Sequence, residues 1–150
     1  MSRTTYTRQD IRELLATDLD TLLTNVQAVY AYQKSDFAQL SPIVRVMSDG
    51  TLLRELTFTH FQTTYYYTVQ IWVVRYSVQY GWSEEEAEAL IDTISNTIMG
   101  YLDSDMDSKP WTSIDLVDRS TISVGGNEVA GEQFLVEDIP LMVTLDTIES

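Results

Sequence analysis

The run Thr64–Tyr80, TYYYTVQIWVVRYSVQY, constrains the fold more than any other stretch of the chain. It has neither Gly nor Pro, and it is rich in the β-branched and aromatic residues that suit a pleated, half-buried surface. Tyr65, Tyr67, Val69, Ile71 and Val73 fall on one alternation set, and Tyr66, Trp72, Val74, Tyr76 and Val78 on the other. Read as one strand, the run exceeds the usual strand length. A strand apolar on both sides is either covered on both faces or extends past its own domain into a neighbour.

The chain has 150 residues, of which 44% are hydrophobic, enough for one domain with a real core. No apolar run reaches the roughly eighteen residues of a membrane span. The first residues, MSRTTYTRQDIREL, lack the apolar stretch of a signal peptide and read as mature sequence. The absence of cysteine excludes disulfides, thiolate metal sites and cysteine nucleophiles, and it fits a cytosolic protein.

The net charge is −14, and it is unevenly placed. Residues 1–80 carry seven bases and seven acids, whereas residues 81–150 carry Lys109 and Arg119 against sixteen acids. Tight nucleic-acid binding needs clustered Lys and Arg to displace counterions, so this charge argues against it. An acidic surface either aids solubility or keeps DNA from sticking to a nearby surface.

Along the chain, Thr7 is placed to cap a helix from Arg8 to about Thr24, with Asp10 three residues on as a variant of the capping box, which ordinarily has Glu or Gln there. Its apolar face is Ile11, Leu14, Leu15, Leu19, Leu22, Leu23 and Val26. A short strand Val26–Tyr32 and a polar connection Lys34–Ser41 follow. Asp49-Gly50 then predicts a hairpin turn between Ile43–Met47 and Leu52–Phe58, and Thr59–Thr63 links the hairpin to the long strand. After Gly81-Trp82, Ser83 and Glu86 predict a capping box for a second helix, Ser83–Leu102. Ala87, Leu90, Ile91, Ile94, Ile98 and Leu102 form its buried stripe, and Glu84, Glu85, Glu88 and Asp92 line one flank. Ile114, Leu116, Ile122 and Val124 alternate with polar residues as a half-exposed strand. The final strand, Glu132–Asp146, switches apolar phase between Val136 and Ile139, which predicts a bulge near Glu137-Asp138. Pro140, which cannot donate to a ladder, requires a free edge or a bulge beside it.

Catalytic chemistry finds no motif: there is no nucleophile elbow and no zinc-binding His pair. His60 has no second His or Cys to join it. The Asp103-Ser-Asp-Met-Asp107 run opens like a calcium loop but fails at its sixth and twelfth positions, Ser108 and Ile114. No metal, cofactor or catalytic residue is expected.

The expected fold is therefore α+β, a single domain over 1–150, with two helices packed on an antiparallel sheet centred on residues 64–80. This element order resembles the tail terminator (tail completion) proteins of long-tailed bacteriophages, the group that includes the minor tail protein U-like family. The best-matching residues are YTVQIWVVRYSV at 67–78, EEAEALIDTISNTIMGYL at 85–102, WTSID at 111–115 and GEQFLVEDIPLMVTL at 131–145. The resemblance covers roughly Thr7 to Leu145. It implies a virion protein assembled in the host cytoplasm, a subunit of a six-membered ring that caps the tail tube and joins the head. Its implied partners are further copies of itself, the tail tube protein and head–tail connector proteins, with DNA passing through without tight binding; no membrane partner is expected. Glu84, Glu85, Glu88 and Asp92 are then candidates to face the channel. Two other readings are another ring component of the phage neck or tube, and a small-ligand-binding α+β domain using Gln70, Arg75 and the tyrosines.

Overall fold

The computed structural model describes residues 6–35, 37, 40–57, 59–75, 83–104, 108–123, 128–129 and 131–148. Thr7 starts helix α1 (Arg8–Leu22) through a complete capping box: its Oγ1 accepts from the Asp10 amide, and its own amide donates to Asp10 Oδ2 at 2.9 Å. Strand β1 (Ala28–Tyr30) runs parallel to β2 (Ile43–Glu55), which pairs antiparallel with β3 (His60–Val74). Helix α2 (Glu84–Leu102) follows, then β4 (Ser113–Leu116), β5 (Thr121–Ser123), β6 (Glu128–Val129) and β7 (Glu132–Ile148). The sheet order is β1-β2-β3-β7-β4, with β5 and β6 also pairing β7. The α+β class holds, and the sheet is mixed because β1 and β2 are parallel.

β3 is the central strand, flanked by β2 on one side and β7 on the other. It begins four residues earlier than its composition predicts, so His60–Thr63 belongs to the strand rather than to a link. Tyr76–Tyr80 lie outside the described residues.

Both faces of the sheet bury apolar groups. Tyr65, Tyr67, Val69, Ile71 and Val73 face the helices, meeting Ile11, Leu15 and Leu19 of α1 and Ile91, Ile94 and Ile98 of α2. Each fully buried side chain of this size contributes roughly 1.5–3 kcal/mol. Trp72 and Val74 point the other way and join Phe37, Ile43, Phe134 and Val136 in a smaller cluster. The expected polar connection Lys34–Ser41 therefore carries an apolar cover. Phe37 packs edge-on to Trp72 and Phe134, and Leu40 packs against the cluster.

Three sequence expectations are corrected. Asp49-Gly50 is not a hairpin turn but a bulge within one long β2, between the pairs Ser48↔Tyr67 and Gly50↔Tyr66. Gly50 takes φ 152°, and Asp49 accepts a hydrogen bond from Thr68 Oγ1. The reversal falls between the end of β2 at Glu55 and the start of β3 at His60 instead, where the amides of Leu56 and Thr57 donate to His60 O at 2.9 and 3.1 Å. An Asp-Gly pair supplies the glycine that both a tight turn and a bulge use, and the partner strand selects the bulge.

The phase switch in β7 is not a bulge either. β3 and β7 pair in unbroken register from His60↔Ile148 to Val74↔Phe134. The apolar phase changes because Phe134 and Val136 serve the smaller cluster while Ile139, Leu141, Val143 and Leu145 serve the helix layer.

The half-exposed strand after α2 divides into β4 and β5, and Val124 lies outside the described residues. Pro140 falls between them: β4 pairs Leu141–Thr144 and β5 pairs Val136–Asp138, while Pro140 O accepts from the Val117 amide at 2.8 Å. Smaller corrections fall on the helices. Leu22 is exposed, Ala16 is buried, and Tyr101 joins the buried stripe while Leu90 and Leu102 are only half-buried. At Ser83 half of the capping box forms, with Oγ accepting from the Glu86 amide at 3.3 Å.

Candidate functional site

Helix α2 opens with three glutamates, Glu84, Glu85 and Glu86, at the positive end of its dipole. Its buried residues are Ala87, Ile91, Ile94, Ile98 and Tyr101. At about 100° per residue, Glu84, Glu88, Asp92 and Glu85 fan out from one border of that stripe. Tyr101 stands on the opposite border, where its hydroxyl donates to Asp18 Oδ2 of α1 at 2.6 Å. The four acids thus occupy the flank of α2 turned away from α1, and all four are exposed.

The same flank leans over β7. Ser95, which lies among these acids on the helix surface, donates to Glu137 Oε2 at 3.0 Å. Arg75, at the end of β3, pairs with Glu84 at 3.1 Å and donates to Gln133 Oε1 at 3.2 Å. Arg75, Glu84, Glu88 and Leu135 line a recess of about 220 Å³. Glu85, Glu88 and Asp92 have no cation within ion-pair distance among the described residues. Spacings of three and four residues between like charges mildly oppose the helix, so nothing local to α2 favours this line of acids beyond its first turn.

Other residues singled out from the sequence are dispersed. His60 Nε2 stands 3.8 Å from Asp146 near the β2–β3 turn. Tyr65 and Tyr67 donate to the carbonyls of Tyr6 and Arg8 at 2.9 and 2.7 Å, anchoring the start of α1. Burial pushes the Tyr67 hydroxyl pKa well above its ordinary value, and burial followed by the Asp18 hydrogen bond does the same at Tyr101. Asp103 is exposed, and Asp105 and Asp107 of the run that opens like a calcium loop lie outside the described residues. Among the described residues no group of three His, Asp or Glu side chains gathers to hold a metal, and no helix is long and apolar enough to cross a membrane.

Gln70 belongs to a network on the sheet face away from the helices. Arg45 Nε donates to Gln70 Oε1 at 2.7 Å, and Gln70 Nε2 donates to Asp138 Oδ1 at 2.6 Å. The Arg45 guanidinium lies over Trp72, 5.0 Å from the ring centre, and donates to Lys34 O at 2.6 Å. Its burial lowers its pKa, with Asp138 acting the other way. The network ties Lys34 to the sheet and uses Gln70 on both sides. Sequence reasoning missed Arg45 and Glu137. The available signal for Glu137 is its parity, since it falls between Leu135 and Ile139 on a core-facing alternation set.

No protein-family model matches the chain, and no curated protein matches it.

Proposed function

We propose that the protein is a structural virion subunit, a tail terminator that assembles into a ring, caps the tail tube and joins it to the head. The observation that carries this reading is the exposed acidic flank of α2, with Glu85, Glu88 and Asp92 unneutralised by any described cation. A helix edge of this kind, set beside a DNA channel, repels phosphates and lets the duplex slide without being trapped. The sequence resemblance implies the ring; the flank supplies a physical reason for the charge.

A ring component of the neck or tube shares this logic and differs only in its partners. The small-ligand reading is less well supported. Its polar candidates are already engaged, Gln70 with Arg45 and Asp138, and Arg75 with Glu84 and Gln133.

Electron micrographs of the purified protein, alone and mixed with phage tails that lack their terminal ring, test the reading. The expected result is rings seated at one end of the tails. Protein that never associates with tails, and that purifies instead with a bound small molecule, overturns it.

A further inference from the structure

We propose that the two outer edges of the sheet are the two halves of one head-to-tail contact, in which β4 of one copy adds to the outer edge of β2 in the next. The closure of such contacts into a ring rests on the terminator reading above; the contact itself is read from the sheet.

β1 covers the outer edge of β2 only at Ile43–Arg45, and beyond it no strand pairs that edge among the described residues. There Leu52, Leu53 and Leu56 are 45%, 48% and 43% exposed. At the other end of the sheet, β4 pairs β7 and no other strand among the described residues, and Leu116 and Val117 are 36% and 48% exposed. An unpaired edge bearing apolar side chains is a template for strand addition.

Strand direction permits the union. β2, β3, β7 and β4 alternate in direction along the sheet, so β2 and β4 run opposite ways. Two copies in the same orientation therefore set β4 antiparallel to β2, with their helix layers on the same side.

One register satisfies the side chains. With Leu53 opposite Leu116, Arg54 falls opposite Asp115 and Leu52 opposite Val117. The faces agree as well. Leu53 pairs Thr63 and Leu116 pairs Leu141, which places both on the helix face; Arg54 pairs Gln62 and Asp115 pairs Met142, which places both on the other face. Apolar thus meets apolar and base meets acid across the same ladder. A contact between two β4 edges instead doubles the acids Asp115 and Asp118. The β2 edge is balanced, with Arg8 held on Thr51 and Arg54 set against Asp49 and Glu55. A contact between unlike edges propagates head to tail and closes into a ring when the rotation allows.

The chain contains no cysteine, so single cysteines report the contact cleanly. Leu53→Cys carrying an affinity tag is mixed with untagged Leu116→Cys and mildly oxidised, with exposed Asn96→Cys as a collision control. Circular dichroism checks that each variant is folded; Leu52→Cys and Val117→Cys provide the next facing pair if either is not. The expected product is a tagged–untagged species at twice the chain mass of 17.1 kDa, formed faster than any pair that includes Asn96→Cys. Preferential coupling of Leu53→Cys to itself, or no coupling faster than the control, overturns the contact. Assemblies that cap tails without this cross-link leave the terminator reading standing and sink the contact. Cross-linked copies that never bind tails do the reverse.

Discussion

The Ser95 hydroxyl donates to Glu137 Oε2 at 3.0 Å, joining α2 to β7 through a carboxylate that is only 3% exposed. Its other oxygen, Oε1, has no hydrogen-bond partner. Ser95→Ala is expected to destabilise the fold by about 1–3 kcal/mol, because the buried carboxylate loses its hydrogen bond. Glu137→Leu, which removes the buried polar group altogether between Leu135 and Ile139, is expected to be neutral or stabilising. Urea denaturation of the two variants decides it; equal losses in both would show that Glu137 is held by more than Ser95.

Ile94 has no exposed surface, whereas Glu88 on the adjoining flank is exposed. Ile94→Asp is expected to cost more than about 4 kcal/mol, since it places an unpaired charge among apolar neighbours. Leu90→Asp, at a half-buried position, should cost less, and Glu88→Gln should leave the melting curve unchanged. A folded, cooperative Ile94→Asp protein would contradict the assigned face of α2.

Tyr67 and Tyr101 make the fold sensitive to alkali. Both hydroxyls have pKa values raised by burial, so the folded state holds their protons more tightly than the unfolded chain does. Their contribution is fully present below the ordinary tyrosine pKa of about 10 and declines as pH rises above it. Denaturant midpoints measured across that range should fall, and the fall should be shallower in Tyr101→Phe. A pH-independent midpoint would argue against the burial of both groups.

Gly50 tests the bulge. A Cβ there would meet nothing within 4 Å, so the cost of Gly50→Ala is conformational alone. At φ 152° that cost is expected to be of order 1–3 kcal/mol. A hairpin turn at this position would instead disrupt the β2–β3 pairing, so retention of the Leu53–Thr63 amide protection in Gly50→Ala separates the two.

The acidic flank can be reversed without touching the Arg75–Glu84 ion pair. Changing Glu85, Glu88 and Asp92 to Lys, and leaving Glu84 with Arg75, keeps good helix formers at exposed sites, so folding should be preserved. The variant should bind duplex DNA with an affinity that falls steeply as salt rises, and phage carrying it should lose infectivity. Normal infection by a variant that binds no DNA would place the flank outside the channel.

Both helices are legible in the chain because their evidence is local. The spacing of Ile11, Leu15 and Leu19, and of Ala87, Ile91, Ile94 and Ile98, repeats every three to four residues, and Thr7 and Ser83 cap the starts. The acidic edge of α2 is read from the same period. The long central strand is likewise visible in its β-branched and aromatic composition. Of the two alternatives its apolar sides leave open, cover on both faces or extension into a neighbour, its described part shows the first.

What the chain could not decide alone are features set by partners far away in sequence. An Asp-Gly pair suits either a turn or a bulge, and only the long pairing of β2 with β3 makes it a bulge. The phase change in β7 is equally consistent with an extra residue or with two cores on opposite faces; the unbroken register with β3 and the cover from Phe37 select the second. Glu137, which the sequence places in that irregularity, is a buried carboxylate meeting Ser95, 42 residues away. Periodicity is a property of neighbouring residues, whereas register and burial depend on which distant segments meet, and so these were decided by the tertiary structure.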